Sequence, residues 1–309
     1  PKTGYILQTG FTEGVADTMR VKVNQLKAQG MEKLILDLRG NGGGLLKEAV
    51  EMVSIFVPEN SLVVTSRDRD GKDVEVYRTQ KAPLAEKMKL VVLVDGGSAS
   101  SSEIVSGALQ DLDRATIMGT RTFGKGLVQS VRPLPFGGQL KLTVAKYYTP
   151  SGRCVQAIDY SHRNPDGSVG HIPDSLTHEF KTVSGRIVRD GGGITPDVQI
   201  ESPKYDDIVY SLVMSGLVDQ YALHYKTTHS SIAPADEFQF DDFDDFISYI
   251  LPFVTEEAAE NVKTLDHSQI KPFIEEEIIV RYYGQHEANK QRLKYDTQLQ
   301  QALKAKTVL

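Results

Sequence analysis

The chain has 309 residues, 40% of them hydrophobic and 25% charged, the balance of a folded protein with one large domain or two ordinary ones. Its 35 Lys and Arg against 41 Asp and Glu give a net charge of -6 and a pI near 5.7, which argues against nucleic acid as the main partner. No apolar run approaches the roughly 20 residues of a membrane-spanning helix, and the single cysteine, Cys154, excludes internal disulfides and multi-cysteine metal sites. The chain opens on Pro1-Lys2-Thr3 with no initiator Met and no signal-peptide pattern, and it reads as a fragment of a longer protein.

From Gly4 to about Gln129, strand and helix patterns alternate. Gly4 to Gln8 is a short apolar strand, followed by a helix over Thr12 to Gln29 with Val15, Met19, Val23 and Leu26 on one face. Lys33 to Leu38 is a β-type run of the kind buried on both faces. The glycine-rich turn Gly40-Asn41-Gly42-Gly43-Gly44 leads into a helix over Leu45 to Phe56. Ser61 to Tyr77 reads as a hairpin turning at Asp70-Gly71. Leu90 to Val94 is a second buried strand, a helix over Ser100 to Asp111 follows, and Ala115 to Gly119 is a third. Such alternation predicts parallel strands joined by helical crossovers, with ligands outside the carboxyl ends of the strands. Both glycine-rich turns fall there.

Beyond Gly137-Gly138 the pattern becomes antiparallel: Gln139 to Tyr148 alternates, and residues 157–193 are polar and turn-rich, as in a surface insertion or long hairpin. After Pro203 the signals are helical, over Tyr205 to Lys226, Phe243 to Ile250, Pro272 to Tyr283 and Gln285 to Lys306. The acidic cluster Asp236, Glu237, Asp241, Asp242, Asp244 and Asp245 reads as a solvated face, with the interleaved Phe238, Phe240, Phe243 and Phe246 docking one side of a helix.

Three segments bear chemistry. In Gly96-Gly97-Ser98-Ala99-Ser100-Ser101-Ser102-Glu103, two glycines after a buried strand allow a sharp turn into a helix whose first N–H groups are free. A serine there presents its hydroxyl beside a donor for a developing oxyanion, or it simply caps the helix, as Ser98 or Ser100 could. The 7 histidines all lie at or beyond His162, outside this half of the chain. The better base is a lysine, Lys125 in Phe123-Gly124-Lys125-Gly126, since a lysine lodged in apolar surroundings loses its ammonium form more readily and then accepts a proton. The plain alternative is a surface turn lysine. The triplet Gly42-Gly43-Gly44 offers outward N–H donors or a tight structural turn, and neither a phosphate loop nor a dinucleotide fingerprint is present.

Taken in order, D-L-R-G-N-G-G-G, then G-S-A-S-x-S-E, then T-F-G-K-G-x-V-Q closely resemble the carboxy-terminal processing peptidases, tail-specific serine endopeptidases with a Ser–Lys dyad. The resemblance continues through Tyr147-Tyr148-Thr149-Pro150-Ser151-Gly152-Arg153 and Gly193-Ile194-Thr195-Pro196-Asp197-Val198, and so spans residues 4–200. It implies an α/β fold: a parallel-strand ClpP/crotonase-like catalytic core over residues 1–203 with antiparallel strands, then a mostly helical C-terminal region over 204–309. A PDZ domain is expected upstream of the strand at Gly4 to Gln8.

By motif, the resemblance makes Ser100 the nucleophile, Lys125 the general base and Gln129 the polar residue that orients the lysine. The N–H groups of Gly44 and Ser101 form the oxyanion hole. Asp111 matches an acidic residue with a structural role, and Glu103 stabilises the helix start. Three consecutive serines, Ser100, Ser101 and Ser102, leave a one-residue shift of the nucleophile open. No metal or organic cofactor is implied. The implied partners are polypeptides with exposed or unfolded C-termini, the implied location is periplasmic or cell envelope, and the oligomeric state stays open. Two other readings stand beside it: a non-catalytic peptide- or lipid-binding protein that kept the fold, and a latent peptidase fragment lacking its PDZ domain.

Overall fold

The computed structural model describes residues 2–307 and divides into two units, residues 1–202 with 301–309, and residues 203–300. The first unit runs β1 (Thr3–Leu7), α1 (Val15–Ala28), β2 (Lys33–Asp37), α2 (Leu46–Val53), β3 (Leu62–Arg67), β4 (Asp73–Arg78), β5 (Lys89–Val94), α3 (Ser101–Asp111), β6 (Thr116–Gly119), β7 (Leu127–Pro133) and β8 (Gln139–Tyr148). Four short strands follow, β9 (Ile158–Arg163), β10 (Val169–His171), β11 (Glu179–Lys181) and β12 (Ile187–Arg189), and then β13 (Val198–Gln199). The second unit holds α4 (Asp207–Met214), α5 (Leu217–Thr228), α6 (Phe243–Ile250), α7 (Glu256–Lys263), α8 (His267–Tyr283) and α9 (Gln285–Arg292). Helix α10 (Thr297–Lys304) begins in the second unit and ends in the first.

The apolar runs form a five-stranded parallel sheet in the order β1-β2-β5-β6-β13. Every position of β2 is buried, as is every position of β5 after Lys89, because helices cover the sheet. The core joins Leu34 and Leu36 to Val92, Val94, Val53 and Phe56, each side chain contributing about 1.5–3 kcal/mol by its burial. Beside it, β4-β3-β8-β7 form an antiparallel sheet. The hairpin predicted over Ser61 to Tyr77 is β3–β4. Strand β7 completes an antiparallel pair with β8 that the sequence reading began only after Gly138. The turn-rich stretch 157–193 holds two small hairpins, β9–β10 and β11–β12. The α/β class with parallel and antiparallel strands and C-terminal helices is the one expected.

Two buried charges organise the rim of the first unit. Lys33 Nζ donates to the carbonyls of Ala302 (2.6 Å), Ala305 (3.0 Å) and Leu303 (3.3 Å), closing the end of α10. Burial and the nearby Lys89 ammonium hold its pKa below the ordinary lysine value. At the far end of α3, Asp111 pairs with Arg153 at 2.8 Å, the side chains being 0% and 1% exposed. Arg153 also donates to Gln110 Oε1, and Ser151 N donates to Asp111 Oδ2.

In the second unit, Phe238, Phe240 and Phe246 are buried while the acidic residues threaded among them are exposed, as their alternation predicts. The helix expected over Tyr205 to Lys226 is two, α4 and α5. Gly216, at φ 76, supplies the left-handed residue that ends one and starts the next. The helix expected from Pro272 starts earlier, because Asp266 caps it by accepting from Ser268 N and its buried face begins at Ile270. Glu275, fully buried on α8, accepts from Phe240 N (2.9 Å), Tyr295 Oη (2.7 Å) and Gln291 Nε2 (3.3 Å).

Asp111→Ala strands the buried Arg153 guanidinium and should destabilise the first unit by about 3–5 kcal/mol, whereas Asp111→Leu with Arg153→Met restores much of the loss. Denaturant melts of the single and double variants measure both, and equal losses would show that the pair is not the source.

Candidate active site

Parallel topology puts the loops after β1, β2, β5 and β6 at one edge of the sheet, and hydrogen bonds stitch them together. Asn41, fully buried, does most of this. Its Nδ2 donates to Gln8 O (2.7 Å), its Oδ1 accepts from Gly43 N (2.9 Å), and its carbonyl accepts from Ala99 N (3.0 Å) and Ser102 Oγ (2.8 Å). Ser98 Oγ donates to Leu38 O (2.8 Å) and accepts from Asp95 N (3.0 Å), so Ser98 pins the turn that follows β5. Phe123 N donates to Ser98 O (3.0 Å), which brings in the loop after β6.

Ser100 is the N-cap residue of α3, with φ 57 and ψ −114. A non-glycine residue seldom adopts this conformation, which costs about 1–3 kcal/mol and persists only where the surroundings over-determine it. Gly43 is part of those surroundings: a Cβ there would lie 2.7 Å from Ala99 O and 2.8 Å from Ser100 Cβ. Ser100 is half-buried and forms a capping box with Glu103, three residues on in the first turn of α3.

Glu103 joins the two ends of the site. It is fully buried, and Oε2 accepts from both Ser100 N (2.9 Å) and Lys125 N (2.8 Å). Oε1 accepts from Thr122 Oγ1 (2.6 Å) and Gly124 N (2.7 Å). Burial pushes its carboxyl above the ordinary range, against the downward pull of those four hydrogen bonds. Glu103 is thus more than the helix-start residue expected. One carboxylate holds the backbones of Ser100 and Lys125 at a common point.

The other expected residues fall nearby. Ser101 Oγ donates to Gly44 O (2.9 Å), and Gly44, at φ 149, sits in a bridge with Phe11 whose backbone leaves no room for a Cβ. Among the described residues the N–H groups of Gly44 and Ser101 have no hydrogen-bond partner. Lys125 is half-buried, and its Nζ makes neither an ion pair nor a hydrogen bond among the described residues, to Ser100 Oγ included. Gln129 stands four residues on in β7, opposite Thr143, with its side chain exposed and not bonded to Lys125.

Two contributors escaped the sequence reading, Asn41 and Thr122. Thr122 is buried, and its hydroxyl also accepts from Ile194 N (2.7 Å), tying the Gly193-Ile194 motif to Glu103. The available signal was an isolated polar residue in each motif, Asn between glycines and Thr at the head of T-F-G-K-G. Among the described residues no group of three or more His, Cys, Asp or Glu could hold a metal ion, and no helix is long and apolar enough to cross a membrane.

Residues 2–166 match the family described as "Peptidase family S41", and residues 254–305 match "Probable PDZ-protease, C-terminal helical domain". A "Carboxy-terminal-processing protease" of Bartonella bacilliformis is 42% identical over 159 residues, 50% of this chain and 36% of that protein. A "Probable CtpA-like serine protease" of Staphylococcus aureus is 35% identical over 209 residues, 67% of this chain and 35% of that protein. The chain thus matches about a third of the length of these relatives. Among solved structures, the "Photosystem II D1 C-terminal processing protease" aligns over 64% of this chain and 42% of its own, at 31% identity and a TM-score of 0.51. With the family match covering more than half of its length, including Asn41, Ser100, Glu103 and Lys125, the chain belongs to peptidase family S41.

Proposed function

We propose that this chain is a serine endopeptidase that cuts polypeptides near their C-termini through a Ser100–Lys125 dyad. The observation that carries the proposal is the shared Glu103 carboxylate, which holds the backbones of a strained serine and of the lysine together at the carboxyl edge of a parallel sheet. The names of the matched relatives support the same reaction.

In this mechanism Ser100 Oγ attacks the scissile carbonyl, and Lys125 in its neutral form takes the hydroxyl proton. The unpartnered N–H groups of Gly44 and Ser101 receive the oxyanion of the tetrahedral intermediate. Lys125 returns the proton to the leaving amine, and water then hydrolyses the acyl-enzyme. Gln129, at the start of β7, would orient the lysine once its side chain turns inward. The chemistry draws on side chains and backbone donors alone. A periplasmic or cell-envelope location goes with this reading, as in the family that the motifs resemble.

One observation favours a latent form of the same site. Ser100 Oγ and Lys125 Nζ form no hydrogen bond here, so the base must swing toward the nucleophile before reaction. Labelling by a serine-directed fluorophosphonate reports how much of the chain is competent.

Mass spectrometry of an unfolded protein incubated with this chain should show cleavage that Ser100→Ala lowers by about 10⁴-fold or more. Lys125→Arg should fail as well as Lys125→Ala, because a guanidinium stays protonated and accepts nothing. Cleavage surviving Ser100→Ala would move the nucleophile to Ser101 or Ser102.

Glu103→Gln turns an amide NH2 toward two donors and should cost about 3 kcal/mol of stability as well as most of the turnover. The pH dependence has a definite sign. Since burial raises the carboxyl pKa in the folded chain, the folded state holds the extra proton. That contribution is complete below the ordinary carboxyl value and is lost as pH rises through the raised one. Thermal melts should therefore show the gap between native chain and Glu103→Gln narrowing with rising pH. A constant gap would place the ionisation elsewhere.

A further inference from the structure

The hairpin of β7 and β8 stands out of its sheet. Strand β8 meets β3 only at Lys146, Tyr147 and Tyr148, so from Val128 and Ala145 outward the two strands have no third neighbour. Residues 131–144 are all exposed, on both faces of the ribbon and around its turn. A lone pair of strands is at best marginally stable in water, which makes an unsupported ribbon of this kind a surface for something else. Its tip is apolar: Leu134, Phe136 and Leu140 surround a turn in which Leu134 N donates to Gly138 O (2.8 Å). Phe136 is fully exposed and sits at φ 62, a conformation that bulky side chains seldom adopt.

Charge narrows the choice of partner. Between Asp113 and Asp159 the chain carries seven Lys and Arg and no Asp or Glu, although acids outnumber bases by six over its whole length. Behind the tip, Arg132 lies opposite Leu140, and Lys141 opposite Val131. Leu140 and Lys141 are consecutive, so the two cations point to opposite faces at nearly the same distance from the turn. Both are exposed, and neither has an ion-pair or hydrogen-bond partner among the described residues. A protein groove takes up one face of a ribbon. An apolar tip with a cationic collar on both faces instead matches a layered medium, hydrocarbon beneath anionic headgroups. From the collar to Phe136 is about three residue rises of extended chain, or roughly 10 Å, the depth that interfacial segments reach.

We infer that the β7–β8 hairpin is a membrane-docking element that inserts Phe136, Leu134 and Leu140 into the headgroup boundary of an anionic bilayer, with Arg132 and Lys141 against the lipid phosphates. The inference goes beyond the peptidase reading and does not depend on it. It has a consequence for that reading all the same. Strand β7 begins two residues after Lys125 and runs for 7 residues, so a docked tip holds the proposed site within about 30 Å of the lipid surface.

The chain contains no tryptophan, so Phe136→Trp places a single fluorophore at the tip. Vesicles of equal parts phosphatidylglycerol and phosphatidylcholine should carry the native chain down in sedimentation. On the same vesicles the emission of the Phe136→Trp chain should move to shorter wavelength and escape quenching by aqueous iodide. Vesicles of phosphatidylcholine alone should bind about 25-fold more weakly, a loss of about fivefold per cation. Arg132→Gln with Lys141→Gln should weaken binding to the mixed vesicles by the same factor, and Phe136→Ser by about tenfold. All three side chains are exposed, so the melting temperatures should be unchanged. Sedimentation of the Ser100→Ala chain should equal that of the native one, which separates docking from turnover. No sedimentation with either vesicle overturns the inference, as does equal binding to both. Binding that Phe136→Ser leaves intact, or a Phe136→Trp signal still open to iodide on vesicles, puts the membrane contact elsewhere and overturns it too. A shift in emission that follows protein concentration without lipid would mean that a second copy covers the tip, and the bilayer assignment fails.

Discussion

A single buried carboxylate sets the geometry on which the candidate site depends. Glu103 offers only acceptors when ionised, and the four groups that meet it are all donors, three of them backbone N–H groups from two loops distant in sequence. Burying a charge is costly unless it is satisfied, and here satisfaction requires the β5–α3 turn and the loop after β6 to sit within hydrogen-bond reach at once. The cost of desolvation therefore becomes a positional constraint. If either loop drifts, a buried oxygen loses its partners.

Topology explains why those loops meet at all. In a sheet ordered β1-β2-β5-β6-β13 with every pair parallel, the chain leaves each strand at the same edge, so segments 60 or more residues apart in sequence become neighbours. Asn41 converts that proximity into fixed contacts, since one side chain and its backbone bond to the loops after β1 and β5 and shape its own turn. The glycine at position 43 then permits what a side chain would block, an approach of the turn onto Ala99 and Ser100. Asn and Gly thus act in sequence: one binds the loops together, the other lets them close.

Much of this was legible in the residues. Continuous apolar runs at Lys33–Asp37 and Lys89–Val94 announce strands covered on both faces, and glycine-rich turns after them locate the edge where chemistry belongs. What periodicity could not reveal was pairing. Strand β7 lacks a clear alternation because its side chains Gln129, Arg132 and Pro133 face solvent, and its place is set by β8 rather than by its own burial. The break at Ser215-Gly216 hid inside an apolar pattern that continues in phase on either side, so one helix was read where two exist. The role of Glu103 was hidden for a different reason. A capping box accounts for a glutamate three residues after a serine, and nothing local signals that its second oxygen faces a loop twenty residues on.

The strained conformation of Ser100 completes the physical picture, because strain needs something rigid to hold it. Helix α3 is buried at all eleven of its positions, and small residues such as Gly107 and Ala108 let neighbours approach on every side; a Cβ on Gly107 would meet Ile194 Cδ1 at 2.9 Å. Its far end is fixed by Asp111, paired with Arg153 and accepting from Ser151 N. Its near end is fixed by Glu103 and by the Asn41 carbonyl, which accepts from Ser102 Oγ. A helix clamped at both ends cannot slide or fray to relieve the positive φ of its cap. The cost of about 1–3 kcal/mol is therefore borne by the packing of the whole first unit, and the serine hydroxyl stays where the turn puts it.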